Sequence, residues 1–248
     1  MTRRNVQMLV AAAVALVAAL PAHAQSGGDG FLFHRPAARI SVRGGYAVAS
    51  AGSDLFDFAT ENLTLNKSDF SGVALGAALD ITASDRVNLT LDVGYSRSKK
   101  SSEFRKLIDN NNLPIEQTTT FERLPVTANL KLYLSPPGQS VGTAAWIPAR
   151  IAPWIGVGGG VMRYRFLQDG DFVDFQTNNV FRSTFDSDGW GPVAQGMAGA
   201  DFSITPSLAL TGEARYLWAN GNLGKDFGGF NKIDLSGVSA SIGLSLRL

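Results

Sequence analysis

The strongest constraint in this 248-residue sequence is an alternation of period two with an unusual choice of residues on its polar side. In the stretch VNLTLDVGY, residues 87–95, the odd positions are Val, Leu, Leu, Val and Tyr, and the even ones are Asn, Thr, Asp and Gly. Alternation of this kind describes a strand with one wholly apolar face. Residues 73–82 repeat it just upstream, and Ala83-Ser84-Asp85 supplies a short turn, so the two read as a hairpin. Further strands are expected at 40–48, 124–132, 151–166, 190–204, 208–218 and 238–248. Within 151–166 the run Gly158-Gly159-Gly160 is expected to switch parity, as a bulge does. That makes eight strands.

The polar faces decide which way this sheet turns. They carry Arg43, Asp80, Asp92, Asn129, Lys131, Asp201, Glu213 and Arg215 among Gly, Ala, Ser and Thr. A water-facing surface is rich in long charged side chains and poor in glycine. Small residues with a few opposite charges suit the inside of a narrow barrel. The Leu, Val and Ile faces then point outward, which only lipid stabilises. The expected fold is all-β: an eight-stranded antiparallel up-and-down transmembrane β-barrel over residues 38–248. Arg43, Asp80, Asp92, Lys131, Asp201, Glu213 and Arg215 are expected to pair across the lumen as an ion ladder. Tyr46, Tyr95, Tyr216 and Trp218 at strand ends on one side, with Phe202 near a short turn on the other, are expected to form interfacial aromatic girdles.

Residues 1–24 read as a secretory signal peptide. Arg3 and Arg4 precede an apolar run, and Ala22-His23-Ala24 is a small-residue cleavage site. Residues 25–37 follow as a periplasmic N-terminal segment. The chain beyond the leader keeps 20 basic against 21 acidic residues, since only Arg3 and Arg4 are lost, and so offers no field for nucleic acid. With no cysteine, disulfides and thiolate chemistry are excluded. Past the leader no apolar run reaches helix-spanning length.

Connections alternate in length. Long polar segments are expected at 51–70, 98–120, 167–189 and 219–232, and tight turns at 83–85 and 205–207. Residues 135–149 are long where a short turn is expected and read as a local insertion. The segment 166–190 concentrates Phe166, Phe172, Phe175, Phe181, Phe185 and Trp190. Those rings either pack a hairpin that rises beyond the membrane or contact lipopolysaccharide, a ligand or another protein.

Chemistry is sparse. His34 is the single histidine after the leader and precedes the first strand. The run GVGGGV at 156–161 lacks a following helix and is read as barrel packing, not a dinucleotide loop. Asp169, Asp171, Asp174, Asp186 and Asp188 do not have EF-hand spacing and read as a solvated loop. Asn62 and Asn88 match a glycosylation sequon, with Asn88 expected to face the lumen. No catalytic residue, cofactor or metal is expected.

The segments LPVTANLKLYL (124–134), APWIGVGGGVMRYRF (152–166) and ITPSLALTGEARYLW (204–218) together resemble the mid-barrel strands of the OmpA-like and opacity-protein-like superfamily of eight-stranded outer-membrane barrels. The resemblance covers about residues 38–248. It implies both termini in the periplasm, four long loops at the cell surface, contact with outer-membrane lipid and lipopolysaccharide, and usually no enzymatic activity. It further implies a structural and surface-interaction role, with host or envelope ligands bound through the loops; the alternative is a small-solute or hydrophobic-molecule channel like OmpW-like barrels. Ser241, Gly243, Leu246 and Leu248 resemble the C-terminal signal read by the barrel-assembly machinery, with Leu248 standing where such families usually have Phe. Acyl-transfer barrels of similar architecture need a histidine near the external end, a place His34 does not occupy.

Overall fold

The computed structural model describes residues 30–109, 112–142, 144–174, 177 and 179–248. The expected leader 1–24, the expected periplasmic segment up to residue 29 and Phe175 lie outside the described residues. Among the described residues eleven strands form: β1 (Ala38–Ala49), β2 (Gly72–Thr82), β3 (Val87–Ile108), β4 (Pro114–Tyr133), β5 (Gly138–Val141), β6 (Ala145–Pro148), β7 (Ile151–Val173), β8 (Val180–Ser203), β9 (Leu208–Gly221), β10 (Ile233–Asp234) and β11 (Gly237–Arg247). One helix, α1 (Asp54–Asn62), follows β1.

Eight of the strands close into a ring of antiparallel neighbours, β1-β2-β3-β4-β7-β8-β9-β11, with β11 paired back onto β1 along its length. Following paired residues once around, from Arg39 through Asp80, Thr90, Asn129, Gly158, Gln195, Leu217 and Gly237, returns to β1 at Ala49, ten residues beyond the start. That stagger tilts the strands and fixes a bore that eight strands leave just wide enough for side chains to fill. The fold is an up-and-down transmembrane-type β-barrel.

Polarity is inverted along every wall strand. Val157 is 65% exposed on the outside, whereas Asp201 is 0% exposed within. Leu75, Leu91, Leu130 and Ile242 join Val157 outside; Asp80, Asp92, Asn129, Lys131 and Arg215 are buried. Asn88 is also buried on the lumen side. Inward glycines make room for the long charges. A Cβ on Gly76 would stand 2.6 Å from the Arg43 guanidinium carbon.

Several expectations from the sequence need correction. The glycine run 158–160 carries no bulge: β7 pairs without a break from Tyr133↔Trp154 to Gln117↔Gly170 and from Ile151↔Phe202 to Val173↔Val180. Glycine has no side chain to mark a face, so the parity switch was an illusion of composition. The register shift lies elsewhere, between Glu103 and Ile108 in the β3–β4 pair. The stretches 98–120 and 167–189, expected as loops, are mostly strand. Here β3, β4, β7 and β8 run on past the apolar belt as two tall hairpins, alternating Ser, Thr, Lys, Arg and Gln in place of Leu and Val. Tyr95 therefore sits within β3 and does not end it, and β9 passes Trp218 to Gly221. The 51–70 connection contains α1, while 135–149 folds as the hairpin β5–β6.

Candidate functional site: the barrel interior and its two mouths

The interior is built in layers. Nearest the short turns, Asp201 of β8 collects five partners. Arg39 donates to it and pairs with it, Tyr133 Oη donates at 2.7 Å, Thr211 Oγ1 at 2.8 Å and Trp154 Nε1 at 3.3 Å, and Lys131 Nζ lies 3.6 Å away. Lys131 also reaches Asp80 at 3.5 Å and sits 4.1 Å from the Trp154 ring centroid. Asp80 in turn accepts from Thr90 Oγ1 at 2.5 Å. Two cations, Arg39 and Lys131, thus face two anions, Asp80 and Asp201.

A second layer lies immediately above. Asp92 of β3 takes Arg43 at 2.7 Å and Arg215 at 2.8 Å, and Glu213 takes Arg43 Nε at 3.1 Å and Arg215 Nη2 at 2.9 Å. Ser241 Oγ donates to Glu213 at 3.3 Å, and Arg215 Nη1 to Gln195 Oε1 at 3.1 Å. Gln195 Nε2 passes the network on to Asn129 Oδ1 at 2.6 Å and Thr127 Oγ1 at 2.8 Å. This layer too is neutral. Burying a charge is tolerable when it is paired and further hydrogen-bonded, and here every charge is paired and the Arg215 guanidinium also reaches Gln195.

Each mouth is filled as well. At the short-turn end, Trp146 of β6 is held by reciprocal backbone bonds with Leu32, at 2.9 and 2.7 Å, and its ring covers Arg247 at 5.6 Å. Arg247 is 2% exposed and donates to Ser203 Oγ at 2.7 Å and the Pro206 carbonyl at 3.0 Å. At the other end α1 lies over the bore. Its Leu55, Phe56 and Ala59 share one face and are buried. Phe56 packs edge-on against Phe70 (4.6 Å), Phe121 (5.4 Å) and Phe166 (5.8 Å), and Phe166 against Phe227 (5.5 Å). Met162, Tyr164, Leu217, Ile233 and Leu235 complete this apolar stopper.

The residues singled out by sequence divide as follows. Arg43, Asp92, Glu213 and Arg215 meet in one cluster; Asp80, Lys131 and Asp201 meet in the other. Arg39, absent from that set, completes the second cluster. Its parity with Arg43 is the signal that was available. Arg123 and Arg247 were likewise missed as buried charges, and nothing in the pattern of 51–63 announced that α1 would turn Phe56 into the bore.

Tyr46, Tyr95, Phe202, Tyr216 and Trp218 all project outward. Tyr46, Phe202 and Trp218 are exposed, and the Tyr216 and Trp218 rings touch at 4.5 Å. Tyr216 is beside Val238 and Val238 beside Val48, one outward position along β1 from Tyr46. Phe202, paired with Ile151 and Leu210, lies at the short-turn end. Ser241 and Gly243 face the lumen. Leu246 pairs with Ile40 and Leu208, and Leu248 exchanges backbone bonds with Ala37 and Ala38. In the tall hairpin β7–β8, Phe166 and Phe172 are buried and Phe185 packs on the stopper, while Phe181 and Trp190 stay exposed. Asp186 and Asp188 are engaged by Arg165 at 2.7 Å and Arg163 at 3.1 Å. His34 is exposed before β1.

No family model matches the sequence, and no curated protein does. Solved structures do resemble the chain. Neisserial surface protein A is 12% identical over 86% of this chain and 97% of its own, with a TM-score of 0.49. Outer membrane protein OprG from Pseudomonas aeruginosa is 16% identical over 86% and 97%, at 0.45. The outer membrane protease OmpT from Escherichia coli is 9% identical over 88% and 98%, at 0.39. These are likenesses of fold, and they include a protease; what this barrel does has to come from its own residues.

Proposed function

We propose that this chain is a closed outer-membrane barrel whose task is to anchor and display the hairpins above it, with no catalytic step and no permanent aqueous path. The observation that carries the reading is the filled bore: an aromatic stopper, two neutral charge clusters and a Trp146–Arg247 seal stand in series. Charges that satisfy one another bind an ion passing through less well than charges left to water, and the apolar stopper excludes water from the far mouth.

The outward aromatic positions are the proposed interfacial girdles: Tyr46, Tyr95, Tyr216 and Trp218 at the cell-surface side, Phe202 at the periplasmic side, with both termini periplasmic. Beyond the surface girdle the outer face changes from Val161 and Val93 to Arg97, Lys99, Arg163 and Arg165. Arg97, Arg163 and Arg165 are paired there with Glu122, Asp188 and Asp186, and Lys99 joins these pairs as the cation offered to the phosphates of lipopolysaccharide. The strand β11, carrying Ser241, Gly243, Leu246 and Leu248, is the proposed recognition segment for the barrel-assembly machinery. The exposed Phe181 and Trp190 on the β7–β8 hairpin are the proposed contact for a host or envelope ligand.

Planar-bilayer recording on the refolded chain tests the main claim. Electrical silence across the usual voltage range is expected. A stable open level would overturn the closed-anchor reading in favour of a solute channel.

A further inference from the structure

Between the Asp92 cluster and the aromatic stopper the lumen retains a cavity of about 50 Å3, bordered by Arg43, Arg215, Arg123, Ser96, Ser239 and Ser241. That is room for several water positions or one small ion. Arg123 sets its chemistry. The residue is 4% exposed, and its Nη1 donates to the Leu235 carbonyl at 3.1 Å and the Ser236 carbonyl at 3.2 Å. A guanidinium has five N–H donors, so Nε and both hydrogens of Nη2 have no acceptor among the described residues. No described carboxylate stands within 4.0 Å of it. Asp234, whose charge reaches Arg123 from β10, has its oxygens on the backbone N–H groups of Gly52 at 2.9 Å and Ser236 at 3.0 Å.

Charge accounting separates Arg123 from its neighbours. Arg43 and Arg215 are matched by Asp92 and Glu213, and Arg39 and Lys131 by Asp80 and Asp201. Arg123 has no carboxylate in contact, only the longer-range charge of Asp234 and the Phe121 ring at 5.2 Å, and it borders a volume whose wall is largely apolar, from Ala47, Pro125, Met162 and Leu217, with Ser96, Ser239 and Ser241 supplying the polar part. A buried ion whose nearest opposite charge is not in contact remains incompletely compensated. We propose that the cavity is a binding site for a small monovalent inorganic anion of the chloride class. Arg123 holds it through Nε and Nη2, and the hydroxyls of Ser96 and Ser239 provide the remaining donors. The volume is too small for a long polyhydroxy acid, and a dianion would overcompensate a single guanidinium.

The test compares the full chain, refolded in detergent, in sodium chloride and in sodium gluconate at equal ionic strength, because gluconate is too large to enter. Chloride is expected to raise the unfolding midpoint by roughly 2–4 °C, saturably. Arg123→Gln is expected to abolish the shift, and Arg123→Lys to retain part of it. An equal shift in Arg123→Gln, or none in the wild-type chain, overturns the proposal. Should Arg123→Gln fail to fold, wild-type crystals soaked in bromide decide. An anomalous peak within hydrogen-bond distance of Arg123 supports the site, and water alone there refutes it. None of these outcomes depends on whether the barrel conducts.

Discussion

Asp92→Asn is the substitution that probes the interior most directly. Asp92 is the joint acceptor of Arg43 and Arg215, with contacts of 2.7 and 2.8 Å, and its side chain is 2% exposed. The amide keeps the shape and removes the charge, leaving two buried guanidinium groups to share Glu213. Removing one partner of a buried ion pair costs about 3–5 kcal/mol, on the order of a hundredfold or more in the folding equilibrium. Asp92→Leu combined with Arg215→Met removes one charge of each sign and leaves the Arg43–Glu213 pair at 3.1 Å intact. Replacing a buried pair with apolar groups is often close to neutral, so the double substitution should recover most of the loss. The assay is urea unfolding and refolding of the barrel in lipid vesicles, read by tryptophan fluorescence and by the mobility difference between unboiled and boiled samples on a gel. If Asp92→Asn unfolds within about 0.5 kcal/mol of wild type, or if the double variant is no better than the single one, the lumen charges are hydrated and the reasoning fails.

Further expectations follow from other layers. Leu91→Arg, on the outer face in mid-belt, should cost about 2–4 kcal/mol in vesicles, where a water-facing site would tolerate it; a neutral result would mean that this face does not meet lipid. Phe56→Ala should open the stopper while sparing the wall. Proteolysis is expected to cut within 51–70 while the boiled and unboiled gel bands stay distinct, and a resistant loop would show that Phe56 does not hold α1 down. Among single-tryptophan variants, Trp218 should be quenched by lipids brominated near the headgroup and Trp154 should not, because the first faces out and the second lies under Lys131; equal quenching would contradict the assigned directions. Gly76→Val should lower refolding yield, since its Cβ would fall 2.6 Å from the Arg43 guanidinium; an unchanged yield would show that Arg43 has another place to go.

The sequence by itself determined the architecture, because period two is a local property. Whichever strand VNLTLDVGY pairs with, Leu91 and Asp92 must point to opposite sides, and the small-plus-charged composition of the Asp92 side settles which side is enclosed. Where side chains carry no polarity the same reading misled. The glycines at 158–160 present no face, and the Ser, Thr and Lys alternation of 98–120 has strand periodicity without hydrophobic contrast, so the tall hairpins passed for loops. What only the tertiary structure decided is partnership. Asp92 meets Arg215 across 123 residues of chain, and Asp201 meets Arg39 across 162. The ten-residue stagger of the closed ring sets those meetings, and no local pattern records a stagger. For the same reason the stopper was invisible: α1 is an ordinary amphipathic turn of chain until the bore beneath it supplies Phe121 and Phe166 for Phe56 to pack against.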